Sequence, residues 1–373
     1  MEAYLLDWAN LLVRWLHLIA GIAWIGASFY FVMLDNSLKP PKNPNDAKRG
    51  VFGELWAVHG GGFYHSQKYL TGPKGEPLTQ DLHWSKWEAY TTWLSGMGMM
   101  AVIYWIGASS YLIDSSVMAL SPAAAVGISI AFLVAGWVFY DLLCRNMIGK
   151  DGVLAAIVFV FVMVANYVLH QVFSARGAYI HVGAMLGTMM AANVFFHIMP
   201  GQRRMVAQIH AGEKVDPRPG IIGKQRSVHN TYFTLPVLFI MISNHYPMTY
   251  ANANGWLVLG VLMLAGVLIR QFFVLRHRGQ VKWWLPAAGV ALIALLMVLM
   301  APKQVDASGE KVSFATVRSI LQQRCIACHA EKPTFEGFAQ APKGVMLETP
   351  EQIAAHAVMS AQTVASGYMP LGN

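Results

Sequence analysis

Eight apolar stretches, at roughly 9–34, 89–113, 122–143, 152–173, 178–199, 228–247, 255–275 and 283–301, dominate the first 301 residues. Each is long enough to cross about 30 Å of hydrocarbon. A segment in hydrocarbon must satisfy its own backbone hydrogen bonds, so each is expected to be a helix. The stretch 228–247 is the weakest, being interrupted by Asn230, Pro236 and Asn244. With 55% hydrophobic and only 12% charged residues, the chain lies far from the balance of soluble proteins. The expected fold is an all-α, polytopic membrane helix bundle of about eight transmembrane helices over residues 1–301, without internal repeats.

Basic residues orient such a bundle. Lys39, Lys42, Lys48, Arg49, Lys68, Lys74 and Lys86 follow the first stretch, and Arg145 and Lys150 follow the third. Arg203, Arg204, Lys214, Arg218, Lys224 and Arg226 follow the fifth; Arg276, Arg278 and Lys282 follow the seventh. The three intervening loops contain only Arg176. The basic loops are therefore expected in the cytoplasm and both termini in the periplasm, across a bacterial inner membrane. The net charge of +8 is then anchorage to membrane lipid and no argument for nucleic acid. No cleavable signal is expected, since Met1 to Leu12 holds Glu2 and Asp7 and no basic opening.

The terminal segment is chemically different. Cys325-Ile326-Ala327-Cys328-His329 is the C-x-x-C-H attachment signature of c-type haem, in which two thiols form thioethers and the histidine ligates iron. A zinc site would need further Cys or His ligands, and the remaining cysteine, Cys144, lies far upstream. Phe314 to Gln323 reads as a short amphipathic helix, and Thr349-Pro350-Glu351 as the start of another over 352–365. The second helix leads to Met369-Pro370, placed as small class I cytochromes c place their distal ligand. His329 and Met369 are thus expected as the axial pair, a combination that raises the haem potential. This predicts a polar linker over 302–313 and a small class I cytochrome c domain over 314–373. The chain stops at Asn373, before a final helix such as cytochromes c pack across their first; either the chain end is truncated or another surface closes the crevice.

Polar residues within the apolar stretches mark the remaining chemistry. The first carries Asn10, Arg14, His17, Gly21 and Ser28 at helical spacing; later ones carry Asn166, His170, His181, Asn193, His197, His229, Asn230 and His245. His181 and His197 are sixteen residues apart, as are His229 and His245, which on ideal helices puts each pair on nearly opposite faces. Two stacked haems are thereby disfavoured, while one haem b with His17 as a ligand stays open beside plain structural histidines. In the soluble stretch 35–88, Trp56 to His65 places aromatics around a glycine turn, which predicts a hairpin against the cytoplasmic mouth.

Trp15-Leu16-His17 through Ala23-Trp24-Ile25-Gly26, the loop Val58-His59-Gly60-Gly61-Gly62-Phe63-Tyr64, the eight stretches and the C-x-x-C-H end together resemble the PuuD-type bacterial membrane urate oxidases, or urate hydroxylases, over essentially the whole chain. The resemblance implies oxidation of urate to 5-hydroxyisourate, with electrons leaving through covalent haem c towards a respiratory acceptor such as a cytochrome c oxidase. The opening pattern is also similar to haem-binding membrane protoporphyrinogen oxidases, which supports His17 as a haem b ligand. Urate is a planar monoanion, so arginine suits its site. Arg14 with His17, and Arg270 with Gln271, are the intramembrane candidates, and the sequence does not choose between them. The histidines offer a base near neutrality. A quinol-oxidising or electron-relay cytochrome is the alternative reading, and a transporter with an attached redox sensor is another.

Overall fold

The computed structural model describes residues 2–301, 312–335, 338, 340–365 and 369–370, the side chains of residues 2, 3 and 7 excepted. The chain opens with α1 (Glu2–Ser37), followed by a short α2 (Pro44–Lys48) and an antiparallel hairpin of β1 (Val51–His59) and β2 (Gly62–Tyr69). Helix α3 (Trp87–Met99) runs on through a π turn, Met100–Trp105, to the single turn α4 (Ala108–Tyr111). Then come α5 (Pro122–Asn146), α6 (Asp151–His170) and α7 (Ala175–Ala192), the last joined by a second π turn, Asn193–Ile198, to α8 (Met199–His210). The bundle continues with α9 (Arg218–Ser243), a short α10 (Pro247–Tyr250), α11 (Gly255–His277) and α12 (Trp284–Leu299). Beyond it lie α13 (Phe314–Arg324), a 3₁₀ turn at Pro342–Gly344, and α14 (Pro350–Ala365).

Helices occupy all eight predicted stretches, and five are long and apolar enough to cross a membrane: Tyr4–Ser37, Pro122–Asn146, Asp151–His170, Ala175–His210 and Gly255–His277. The other three fall short for identifiable reasons. The α3 segment is split by its π turn and by Gly107, where a Cβ would stand 2.6 Å from the Ile103 carbonyl. Helix α12 has 16 residues. Helix α9 begins well before the predicted stretch, so Arg218, Lys224 and Arg226, expected in a loop, lie on its first turns. Pro236 is carried inside α9, where its missing N–H leaves one helical bond unmade.

Helix α7 forms the centre: Ala178, Val182, Met185, Leu186 and Met189 are essentially inaccessible and pack against α5, α6 and α9. Helix α1 lies at the periphery, touching α3, α9 and α11 with one side. Its His17 closes on α3, with Cε1 only 3.0 Å from where a Cβ on Gly96 would be, so a larger residue there would press on the imidazole.

The basic loops gather at one end of the bundle. Asp35 at the end of α1 takes Lys68 from the hairpin and Lys224 from α9, the latter at 2.9 Å. Arg278 after α11 donates to Asn36 at 2.9 Å, and Gln225 to Asp151 at 3.0 Å. The predicted hairpin is present, turning through Gly60 and Gly61 at φ of +59° and +82°, the left-handed geometry of a two-residue turn. Its base is tied down, because Gly53 packs on Leu38 and Glu54 accepts from Lys42 N at 3.0 Å and His65 Nε2 at 2.8 Å. The tip is not folded back on the bundle as expected: Val58 and Phe63 are 73% and 78% exposed. The cross-strand pair Trp56 and His65 stacks at 4.2 Å instead of packing on a helix.

Helix α13 lies where the amphipathic pattern predicted and is capped by Ser313, whose Oγ accepts from Thr316 N at 3.2 Å. Thr349 caps α14 as its sequence requires: Gln352 N donates to Thr349 Oγ1 at 3.3 Å while Thr349 N donates back to Gln352 Oε1 at 3.0 Å. Of the predicted linker only Val312 and Ser313 lie among the described residues.

Candidate functional sites

Cys325 ends α13, and Cys328 and His329 follow in a loop stitched by backbone bonds. His329 N donates to Cys325 O at 2.9 Å, Thr334 N to Ala327 O at 2.9 Å, and Leu347 N to His329 O at 2.9 Å. Both thiols are free and half-buried, and burial pushes each up from its ordinary value, Cys325 adding to the effect at Cys328. His329 Nδ1 lies 2.8 Å from the Val345 carbonyl, which can only accept. The ring proton is therefore on Nδ1, and the Nε2 lone pair is left for a metal, the arrangement that orients ligating histidines. Helix α13 buries none of its residues: Val317 and Ile320 are 38% and 54% exposed. Two unpaired thiols, an oriented imidazole and an uncovered apolar helix face fit a covalently held haem. Met369 is half-buried with its N–H on the Thr363 carbonyl at 3.2 Å, while Gly367, Tyr368 and Leu371 lie outside the described residues.

Inside the bundle the largest polar network centres on Asp141 of α5. Its Oδ1 accepts from Arg226 Nη2 at 2.7 Å and from His197 Nε2 at 2.5 Å, and its Oδ2 from Arg145 Nε at 2.6 Å. Arg226 is 1% exposed and also reaches Asn193 Oδ1 at 3.1 Å. Asn193 Nδ2 donates to Asn230 Oδ1 at 2.9 Å and to the Tyr140 oxygen at 3.0 Å. The Tyr140 hydroxyl is also hydrogen-bonded to His229 Nδ1, 2.9 Å away, which carries the network to a further residue of α9. A carboxylate with three donors offsets the cost of burying its cations.

Sequence reasoning missed Asp141, Tyr140 and Arg226. Asp141 was the one acidic residue in the third stretch, and Arg226 stands one helical turn before His229 and Asn230; both were visible signals. The expectation that His181 and His197 face opposite ways is also overturned. His181 Nε2 accepts from Ser129 at 2.7 Å and His197 binds Asp141, so both meet α5. The cause is the π turn at 193–198: it holds one more residue than an α turn and removes about 100° of rotation. Pro200 follows directly and lacks the N–H that would keep an α ladder at that point. Each histidine commits a ring nitrogen within the bundle, and His181 commits both, with Nδ1 on the Gly177 carbonyl at 2.8 Å.

The two arginine candidates differ. Arg14 is exposed on α1 and gives its Nε to Asn10 at 2.6 Å. His17 is held by the Thr92 carbonyl at 2.9 Å and Ser95 Oγ at 3.1 Å through Nδ1, so its Nε2 is the nitrogen left to act. Arg270 of α11 is 5% exposed, with its guanidinium 4.4 Å from the centre of the Phe29 ring. Its Nε and Nη2 are buried without a hydrogen-bond partner. Gln271 beside it accepts from the Tyr232 hydroxyl. Among the described residues, no three His, Cys, Asp or Glu groups converge as a metal site.

A family model described as urate oxidase N-terminal matches residues 3–301. No curated protein and no solved structure matches the chain.

Proposed function

We propose, from the premise that the chain belongs to the urate oxidase N-terminal family, that it is a membrane-bound oxidoreductase of the PuuD type, converting urate to 5-hydroxyisourate with a cytochrome c domain as electron acceptor. Urate and water give 5-hydroxyisourate, two protons and two electrons, and the hydroxyl oxygen comes from water. Such a reaction needs an anion site, a proton acceptor and an electron outlet. The observation that carries the reading is the joining, in one chain, of a urate oxidase domain over 3–301 to Cys325, Cys328 and an His329 oriented through Val345.

Haem c, which Cys325, Cys328, His329 and Met369 would hold, would supply a one-electron acceptor of raised potential. The protein's own groups do the rest. His17, fixed through Nδ1, has Nε2 available to take a proton or to ligate a haem b. The Asp141 network locks α5, α7 and α9 together, so the intervening side chains hold fixed positions. In this reading all eight apolar helices cross a bacterial inner membrane. The basic end lies in the cytoplasm, both termini lie in the periplasm, and electrons continue to a respiratory acceptor such as a cytochrome c oxidase.

The test is anaerobic. Urate added to purified, oxidised, full-length protein should raise the reduced α-band of haem c, whereas xanthine or allantoin should leave it unchanged. A haem that stays oxidised in millimolar urate and is reduced by a quinol would overturn the reading in favour of an electron relay.

A further inference from the structure

We propose that Arg270 holds the substrate anion, in a site between α1, α9 and α11 at the basic end of the bundle, with the Phe29 ring beneath the guanidinium. The proposal rests on the urate reading and gives it an address.

The molecule buries two arginines among its described residues, and they are treated differently. Arg226 has Asp141 as counter-charge and Asn193 as a further acceptor. Among the described residues no carboxylate pairs with Arg270, and its Nε and Nη2 are buried without a hydrogen-bond partner. A buried, unpaired guanidinium is strongly unfavourable, and donors left unmade add to that cost. An ionisable residue kept at such a position within membrane-spanning helices marks a functional site. The missing counter-charge is therefore expected from a ligand.

The geometry also defines what kind of ligand. Nε and Nη2 form one edge of the guanidinium, the edge that presents two parallel N–H groups to two neighbouring acceptor atoms. The guanidinium carbon stands over the Phe29 ring, 4.4 Å from its centre, a cation–π contact that helps hold the fork in place. The Tyr232 hydroxyl donates to Gln271 Oε1, which leaves the Gln271 amide hydrogens as further donors next to the arginine. Gly26, one turn before Phe29 on α1, has no atom within 4 Å of where a Cβ would stand, so that side of α1 is unobstructed. Such a set recognises a flat anion with adjacent oxygen and nitrogen acceptors, which the urate monoanion is. Arg14 is a poorer host, because it is exposed and its Nε is occupied. It is also fifteen residues from Phe29 along α1, about 22 Å by helical rise.

Equilibrium binding of urate should be measured on full-length protein reduced beforehand with dithionite, so that the haem accepts no electrons and urate is not consumed. Arg270→Gln should raise the urate Kd by roughly 30- to 100-fold, the loss of a charged two-point contact. Arg270→Lys should recover only part of it, since an ammonium cannot form the fork. Arg14→Gln should stay within about twofold of the unaltered protein. Gln271→Leu, which removes the neighbouring donors without burying a new charge, should weaken urate severalfold. It is the decisive variant if Arg270→Gln does not elute as folded protein. Unaltered urate affinity in folded Arg270→Gln, or in Gln271→Leu, overturns the assignment while urate oxidation stands. Absence of urate binding by the unaltered protein overturns the functional reading itself.

Discussion

Arg226 of α9 meets Asp141 of α5 at 2.7 Å in the interior of the bundle, with both residues at least 95% buried. Removing one partner strands the other. Asp141→Leu should therefore destabilise the protein by about 3–5 kcal/mol. Most of that should return in Asp141→Leu/Arg226→Met, where no buried charge is left alone. Thermal unfolding in detergent of the two single variants and the double variant reads the coupling; a double variant no more stable than Asp141→Leu would show that the pair is not a unit.

Covalent attachment is the second expectation. Cys325→Ala and Cys328→Ala should each lower the peroxidase stain that follows the chain on a denaturing gel, and the double variant should lose it. Full staining of the double variant would remove the haem c assignment and the electron outlet with it.

The orientation can be read with a reporter that is active only outside the cytoplasm. Fused after Ala301 it should be active, and inserted at Gly212, between α8 and α9, it should be silent. The opposite pair of results would invert the bundle, along with the side from which a ligand reaches Arg270.

The hairpin should loosen in acid. The Lys42 backbone N–H, and then His65, hold the Glu54 carboxyl below its ordinary value of 4.5. A carboxylate whose folded value is depressed contributes stability that is complete above the unfolded value and lost as pH falls through the folded one. Hydrogen exchange in 51–69, corrected for intrinsic rate, should then show protection at neutral pH that declines below about pH 4.5. In Glu54→Gln the protection should be weaker and nearly flat with pH; an unchanged acid response in that variant would place its origin elsewhere.

What the sequence revealed and what it concealed separate along physical lines. Helices at all eight stretches, the Gly60-Gly61 turn and the Thr349 cap rest on local rules of hydropathy, backbone handedness and side-chain capping, which need no knowledge of neighbours. The partners of Asp141 are set by how α5, α7 and α9 pack, and no periodicity contains that information. Arg226 was assigned to a loop because its neighbours are polar, although tertiary packing extends α9 to include it. Arg270 was recognisable as a candidate, yet only its burial against Phe29, with two donors left over, separates it from Arg14.

The π turn at 193–198 has a consequence for how this chain can change its length. Since the turn already takes up one residue more than an α turn, deleting a single residue there would let an α turn form with the helix beyond it in nearly the same phase, whereas a deletion that left the π turn in place would swing everything to His210 by about 100°. Only the second change would cost Asp141 one of its three donors and replace the face α8 offers to the rest of the bundle. The short connection at 211–217 between α8 and α9 can absorb gains and losses by reshaping its path, because no helical phase crosses it. Two neighbouring stretches of similar length thus differ in evolutionary freedom: the turn has room to give back one residue and no more, and the other is slack.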